Sequence, residues 1–322
     1  MQAWQIETLG AEPVLRDLPL PVPAKGQARV RIAAAGLNFA DLLMAKGSYQ
    51  ERHPLPFTPG LECAGVVDAL GPDTTGPAVG TRVACFAGVG GLAEFGAFPV
   101  ETLTPIPDTM SFETAAGFQI AYGTSHLALG HLGRLRAGET LLVLGAAGGV
   151  GLTAVEIGAL MGARVIACAR GEEKQAIARA AGAQETLDSE TADLKAALRA
   201  MGGVDVVYDP VGGAAFDAAL RATRPGGRLL TIGFASGEVP QVPANLLLVK
   251  NLSVIGMWWG GYAKFAPHIL QDSLSTLFAW QAAGKLRPHV SHLLPFAELA
   301  VGLELLRNRR ATGKVVIGIQ QQ

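Results

Sequence analysis

One stretch constrains this chain more than any other: an apolar run that ends directly in glycines. Leu141-Leu142-Val143-Leu144 leads into Gly145-Ala146-Ala147-Gly148-Gly149-Val150-Gly151, and a helical pattern follows over Val150–Met161. A strand entering a glycine-rich turn and then a helix brings backbone N–H groups of a helix N-terminus to the surface. An anion can approach them because no side chain stands in the way. Gly148 and Gly149 permit close approach of a pyrophosphate, and Gly151 permits tight packing of the helix on the strand. The spacing is G-x-x-G-x-x-G, not the strict G-x-G-x-x-G, so the turn gains its weight from its setting.

That setting is an alternation of strands and helices. Strands are predicted over Thr140–Gly145, Arg164–Ala169, Val204–Tyr208 and Arg228–Gly233. Helices are predicted over Lys174–Ala181, ended by Gly182, and over Glu190–Met201 and Ala214–Arg221. Such alternation predicts a parallel sheet with helices on both faces. A longer helix is predicted over Phe112–Leu132 with Ser111 as its N-cap. Residues 1–110 read differently. They hold twelve of the 19 prolines and a period-two strand, Ala28–Ala34, with its arginines outward. Proline at this density breaks helices and suits turns and sheet edges, so this region is β-rich. The last part carries helices over His268–Ala283 and Ala297–Arg307 and a strand over Lys314–Ile319. The expected division is 1–115 with 265–322 as one domain and 116–264 as the other.

Composition excludes several classes. Hydrophobic residues make up 49% and charged residues 16%, unlike a disordered chain. Lys plus Arg is 26 against 27 Asp plus Glu, which argues against a nucleic-acid binder held by phosphate neutralisation. The basic run Arg307-Asn308-Arg309-Arg310 reads as a helix C-terminus, where cations suit the dipole. Only Cys63, Cys85 and Cys168 are present, without a C-x-x-C pair, so a reducing compartment is expected and no disulfide framework. No apolar core follows Met1 as in a signal peptide, and no window reads as a membrane span, so a cytoplasmic protein without membrane contact is expected. The remaining histidines, 289 and 292 included, read as solvated.

The tip of the strand Arg164–Ala169 informs the choice of dinucleotide. A carboxylate there would bond a ribose 2′-hydroxyl and repel a 2′-phosphate. Arg170 stands there instead, with Lys174 one turn on, and the two can face a 2′-phosphate. The expected cofactor is NADPH.

Several further segments carry a resemblance. They are Gly36-Leu37-Asn38-Phe39-Ala40-Asp41, Pro59-Gly60-Leu61-Glu62-Cys63-Ala64-Gly65, Gly91-Leu92-Ala93-Glu94-Phe95, Asp209-Pro210-Val211-Gly212-Gly213 and Arg310-Ala311-Thr312-Gly313-Lys314-Val315-Val316. With the glycine turn, and in this order, they resemble the medium-chain dehydrogenase/reductase superfamily, and within it the zinc-independent, zeta-crystallin-like quinone oxidoreductases. The resemblance implies an α/β protein with a GroES-like β-rich catalytic domain and a Rossmann-type doubly wound parallel-sheet cofactor domain. It implies a metal-free NADPH:quinone reductase that acts as a homodimer. Zinc alcohol dehydrogenases of this fold carry a Cys where Asn38 stands and a His where Leu61 stands. Zinc needs three side-chain ligands and an open position, so no metal is expected.

The resemblance also assigns roles. Asn38, Tyr49 and Thr124 become the catalytic candidates, near the nicotinamide ribose and the acceptor. Cofactor contacts fall on Asn38, Thr124, Ala147, Gly148, Gly149, Val150, Gly151, Arg170, Lys174, Val211, Gly233, Phe234, Ala235, Met257, Trp258 and Trp259. His126 stands where the family often has a Tyr, and either donates to a quinone oxygen or fills the place of the phenol in packing. Ser189 replaces a Tyr that often backs the 2′-phosphate. An enone or 2-enoyl thioester reductase is the alternative enzyme, and a non-catalytic NADPH-binding structural protein the alternative of another class.

Overall fold

Short, proline-punctuated strands build the first part of the chain. The computed structural model describes residues 1–190 and 192–319. Strands β1 (Gln2–Gln5) and β2 (Val14–Asp17) form an antiparallel pair. There follow β3 (Gln27–Leu37), β4 (Glu62–Leu70), β5 (Arg82–Phe86), β6 (Phe95–Pro99) and β7 (Leu103–Pro105). Next come β8 (Thr140–Leu144), β9 (Arg164–Ala169), β10 (Glu185–Asp188), β11 (Val204–Asp209), β12 (Thr223–Thr231) and β13 (Ser253–Gly256). The last two are β14 (Val290–Pro295) and β15 (Lys314–Gly318).

Two units result, Met1–Ile120 with the stretch from Pro288 onward, and Ala121–Arg287. In the first, a sheet runs β14-β15-β3-β4-β5-β7, with β6 also paired to β3. Alternation along β3 buries Ala28, Val30 and Ile32 and leaves Arg31 exposed. Arg29 pairs with Asp68 of β4 at 2.6 Å. The buried face packs on Val67, Val83, Phe98, Val315 and Ile317 and on Leu299 and Leu303 of the helix Leu299–Arg307. A β-rich unit of this kind is what the resemblance implies for the GroES-like domain.

The second unit is a six-stranded, all-parallel sheet in the order β10-β9-β8-β11-β12-β13. Every residue of β8 is buried, as expected of a parallel strand covered on both faces. Leu142 and Leu144 join a core with Leu198, Phe216 and Leu220 from the helices Leu194–Ala200 and Gly213–Ala222. Leu141 points the other way and packs against Gly158 of the helix Gly149–Leu160. Helices therefore cover both faces, and the unit is a Rossmann-type doubly wound sheet.

Several expectations need correction. The single helix over Phe112–Leu132 is broken. Phe112–Ala116 ends at Gly117, Gln119–His126 follows, and Leu127–Leu132 continues with π-type bonding. Gly117 terminates the first piece because its N–H turns back to Thr114 O. Ser111 does cap it, accepting from the Thr114 N–H at 3.2 Å. The helix expected over Glu190–Met201 is Leu194–Ala200, started by Asp193, whose carboxylate accepts from the Ala196 N–H. Thr191 of that expected helix lies outside the described residues. Chain return to the first unit comes at Pro288, not 265. The helix Pro267–Ala282 stays in the second unit, where Ser273 and Trp280 pack on His126. Of the two histidines read as solvated, His289 is exposed and outside any strand, whereas His292 is half-buried. His292 lies in β14 and bonds Ser291, and His289 bonds Thr312. Among the described residues no helix is long and apolar enough to cross a membrane.

Gly36 shows how tightly the first sheet is covered. A Cβ there would overlap the Ala116 carbonyl of the helix lying on β3. Gly36→Ala is expected to destabilise the chain by about 1–3 kcal/mol, read as a lower urea midpoint. An unchanged midpoint would mean that the helix can move off the strand.

Candidate functional site

In a parallel sheet all strands end on the same edge. Strand order reverses between β8 and β11, since β8 leads through β9 to β10 on one side and β11 through β12 to β13 on the other. Connections leave in opposite directions there and open a crevice at the carboxyl ends. The candidate cofactor residues of the second unit gather along this edge. Gly148–Gly151 follow β8 and Arg170 follows β9. Val211 follows β11, Gly233–Ala235 follow β12, and Met257–Trp259 follow β13.

The turn after β8 is built for a bare helix N-terminus. Gly145 holds φ +59, a conformation that favours glycine, and a Cβ on Gly151 would overlap the Gly145 carbonyl. Gly148 is the N-cap of the twelve-residue helix Gly149–Leu160 and brings no side-chain cap. The first-turn N–H groups of Gly149, Val150 and Gly151 have no intrahelical acceptor by geometry, and the helix dipole adds positive potential. Ala147 beside them is buried. Val211 comes within 3.1 Å of where a Cβ on Gly145 would lie, so the loops after β8 and β11 touch. The loops after β11 and β12 are laced together. Ala235 N–H donates to Pro210 O and Ser236 N–H to Val211 O. Asp209 fixes the first of them by accepting from the Val211 and Gly212 N–H groups at 2.7 and 2.9 Å.

A hydroxyl network lies behind the turn. Ser125 Oγ donates to Val150 O at 2.9 Å and contacts Thr153 Oγ1 at 2.8 Å and Tyr208 Oη at 3.0 Å. Thr153 donates to Ala121 O at 3.0 Å. Helix start, β11 and the Gln119–His126 helix are thus tied through buried hydroxyls. Thr124, the neighbour of Ser125, is itself buried. Gly123 gives room for the Trp259 indole, which a Cβ would strike. Trp259 and Met257 are buried, whereas Trp258 and Phe234 are 36% and 38% exposed.

At the end of β9, Arg170 is the N-cap of the helix Gly171–Ala180. Its guanidinium meets the Glu190 carboxylate at 3.3 Å, with both side chains about half exposed. Burial, and then the charge of Arg170, lowers the pKa of Lys174, so the two cations share one neighbourhood. Ser189 is adjacent, its N–H bonded to Ala169 O. His126 has its Nδ1 2.8 Å from Ser273 Oγ, its ring edge-on to Trp280 at 5.2 Å, and a pKa lowered by burial. Ser273 and Trp280 thus hold the ring in one orientation.

Asn38 sits in the first unit, at the exit of β3 and the N-cap of the helix Phe39–Ala45. Both of its amide hydrogens are engaged, and its oxygen accepts one bond. Nδ2 donates to Glu62 Oε1 at 3.0 Å and to Gly36 O at 3.3 Å, and Oδ1 accepts from Lys314 Nζ at 2.7 Å. Glu62, 1% exposed, also takes Lys314 Nζ at 2.9 Å on Oε1 and the Ile120 N–H at 3.1 Å on Oε2. Tyr49 is half-buried in the loop after the Phe39–Ala45 helix. Asp41 accepts the Asn38 N–H at 2.8 Å on Oδ2, while its buried Oδ1 has no partner. A cavity of about 10 Å³ lies against it, lined otherwise by apolar residues such as Ile6, Leu299 and Leu303. Burial pushes the Asp41 carboxyl up to about 7, against the lowering effects of the Asn38 N–H and the Lys314 charge.

Sequence reasoning missed Lys314 as a member of this cluster, Glu190 as the partner of Arg170, and the hydroxyl network of Ser125, Thr153 and Tyr208. Lys314 had one signal, a lysine opening an otherwise apolar strand, Lys314-Val315-Val316-Ile317. The other two depend on tertiary contacts. Cys63 and Cys85 prove to be register partners across β4 and β5, both buried. Their hydrogen bond, with burial behind it, holds the Cys63 thiol well above its usual pKa. Among the described residues no three His, Cys, Asp or Glu side chains form a metal-binding group.

Comparison with known proteins agrees with this architecture. Residues 24–108 match the family described as alcohol dehydrogenase GroES-like domain, and residues 149–275 the family described as zinc-binding dehydrogenase. Quinone oxidoreductase-like protein 2 of Bos taurus is 38% identical over 306 residues, spanning 94% of this chain and 87% of the relative. The quinone oxidoreductase of Thermus thermophilus, solved also as its complex with NADPH, matches with a TM-score of 0.88 and 37% identity over 99% of this chain and 100% of that one. Escherichia coli quinone oxidoreductase, solved with NADPH, matches with a TM-score of 0.92 and 26% identity over 99% and 100% of the two chains.

Asp41 makes stability depend on pH. Folded, it keeps its proton up to about pH 7; unfolded, it loses it near pH 4. Between these values the unfolded chain binds fewer protons, so this residue lowers stability progressively as pH rises from about 4 to about 7, and no further above. Asp41→Asn removes the effect. Its stability relative to the unsubstituted chain, from urea unfolding, should rise across that window and then level off. A constant difference would mean that folded Asp41 is already ionised at the acid end.

Proposed function

Because this chain belongs to the quinone oxidoreductases of the medium-chain dehydrogenase/reductase superfamily, we propose that it is an NADPH-dependent reductase of electron-poor quinones that works without a metal. The observation that carries the reading is the uncapped helix N-terminus of Gly149–Leu160, placed where strand order reverses. The residues fit the cofactor. Gly148, Gly149, Val150 and Gly151 would hold the pyrophosphate through backbone N–H groups, with Ala147 packing beneath. Arg170 and Lys174 would take the 2′-phosphate in competition with Glu190, and Val211 would touch the adenosine side. Thr124, Gly233–Ala235 and Met257–Trp259 would border the nicotinamide. When bound, NADPH supplies a hydride; the chain supplies orientation and a water-poor setting.

The metal-free reading stands on donor chemistry. The positions that would ligate zinc carry Asn38 and Leu61, and the one carboxylate, Glu62, is already paired with the Lys314 ammonium. Asn38 has both amide hydrogens engaged and can offer a ligand only a lone pair on Oδ1. It therefore accepts a hydrogen bond, as from a ribose hydroxyl, and does not polarise an acceptor carbonyl. A substrate that needs no Lewis acid fits such a site, and quinones are of that kind. Tyr49 is read as bordering the acceptor. The same reading makes the chain a cytoplasmic homodimer. The exposed Leu248 and Val249, in the helix Ala244–Lys250 that precedes the edge strand β13, support an association there.

The test is NADPH oxidation by the purified chain with 1,4- and 1,2-quinones, enones and enoyl-CoA as acceptors. Quinones should turn over fastest, and activity confined to enoyl-CoA would sink the proposal. Arg170→Ala with Lys174→Ala should weaken NADPH by about 10-fold or more, the worth of one charged hydrogen bond, and leave NADH nearly unchanged. Equal loss for both dinucleotides would refute the 2′-phosphate assignment.

A further inference from the structure

β15 opens on a charged side chain that does not reach solvent. The Lys314 side chain is 9% exposed. A buried ammonium is costly unless its charge is balanced and its three hydrogens find acceptors. Lys314 meets both conditions within a few ångströms. Nζ donates to Leu37 O at 2.8 Å, to Asn38 Oδ1 at 2.7 Å and to Glu62 Oε1 at 2.9 Å. Gly117 leaves room for the stem, since a Cβ there would stand 3.1 Å from Lys314 Cγ and Cε. Glu62 supplies the balancing charge and also accepts from Asn38 Nδ2.

The arrangement has a consequence for Asn38. The two ends of an asparagine amide are nearly the same in size, so its partners decide which way it faces. An ammonium can only donate and a carboxylate can only accept. With Lys314 on one side and Glu62 on the other, only one orientation satisfies both, with oxygen to the cation and nitrogen to the anion. A neutral pair of neighbours would allow either.

We propose that Lys314 is a positioning residue for the reaction: its buried ammonium, balanced by Glu62, locks the Asn38 amide in one orientation and leaves an Oδ1 lone pair as its sole offering to a ligand. The proposal rests on the reading that Asn38 contacts the nicotinamide ribose or the acceptor. A merely structural ion pair joining β15 to β3 and β4 is the competing account, and variants separate the two.

Lys314→Met alone strands the Glu62 charge and is expected to lower the melting temperature sharply. Lys314→Met with Glu62→Gln is neutral and nearly isosteric. It should regain most of the lost melting temperature while kcat/KM for quinone reduction stays at least 10-fold below the unsubstituted chain. Asn38→Ala should cost about as much in the unsubstituted background and less than 2-fold in the double variant. Lys314→Ala should be rescued, in melting temperature and in kcat/KM, by propylammonium but not by propanol, since the amine replaces the missing atoms with their charge. A stable double variant with unchanged kcat/KM, or a full Asn38→Ala loss on top of it, overturns the proposal. If the unsubstituted chain reduces no quinone, the functional reading fails instead. NADPH affinity of the double variant then decides for Lys314: at least 10-fold weaker supports the lock, and unchanged overturns it.

Discussion

A parallel strand must be re-entered from the far end, so each connection crosses a face of the sheet. Where consecutive connections leave on opposite sides, nothing covers the edge between them. β8 and β11 are that place. β8 is hydrogen-bonded on both sides and wholly buried, so its exit point is fixed by the sheet itself. The Gly145 turn and the start of the Gly149–Leu160 helix inherit that precision. Ser125, Thr153 and Tyr208 then hold the helix start from behind through bonds to Val150 O and Ala121 O. Orphan N–H groups thus sit on a rigid support, and an anion meeting them need not order the turn first.

The first unit answers a different problem, that of burying charge. Glu62, Lys314 and Asp41 all lie below 10% exposure. Glu62 and Lys314 neutralise each other and share their remaining bonds with Asn38 and backbone groups, so the pair tolerates its site. Asp41 has no cation in contact and one unpartnered oxygen, and burial therefore raises its pKa. The same cluster bears on metal chemistry. A cation is already present in covalent form, as an ammonium with three oxygen acceptors, and Leu61 beside Glu62 is a buried hydrocarbon side chain.

The second unit was largely legible in the sequence because its signals are local. Arg164–Ala169 was read to the residue, and β8, β11 and the helices starting at Gly149 and Gly213 within one or two positions. Glycine at the turn, apolar runs in buried strands and charge at helix ends all act within a few residues. Failures came where distant groups decide. Gly117 is the exception, a local stop masked by an apolar period that runs on to Leu132. The His268–Ala283 pattern shows a helix, but not that Ser273 and Trp280 meet His126 in the second unit. β10 and β14 are short and partly exposed, with no clear period. At the site, the residue types at 38, 62 and 314 were visible, but not their contact, which spans more than 250 positions. Arg170 was read as a cation facing a ligand; that it also faces Glu190 depends on where the chain runs after β10.

The two units treat their polar groups in opposite ways, and the contrast bears on mechanism. The Gly149–Leu160 helix leaves N–H donors open at a surface edge, while the cluster around Asn38 uses every side-chain donor it has. An open donor can form a bond to a ligand at little internal cost. A donor already held by a buried carboxylate would have to give up a charge-assisted bond first, and in a low-dielectric site that exchange is unfavourable. On the proposed reading, recognition of the cofactor phosphates falls to the backbone edge of the second unit. Asn38, on the proposed reading, would contribute direction through one oxygen, set by charges it does not itself carry. If Asn38 meets the ribose as proposed, it would hold it in place without stabilising developing negative charge, and the proposed quinone would carry that charge by its own delocalisation.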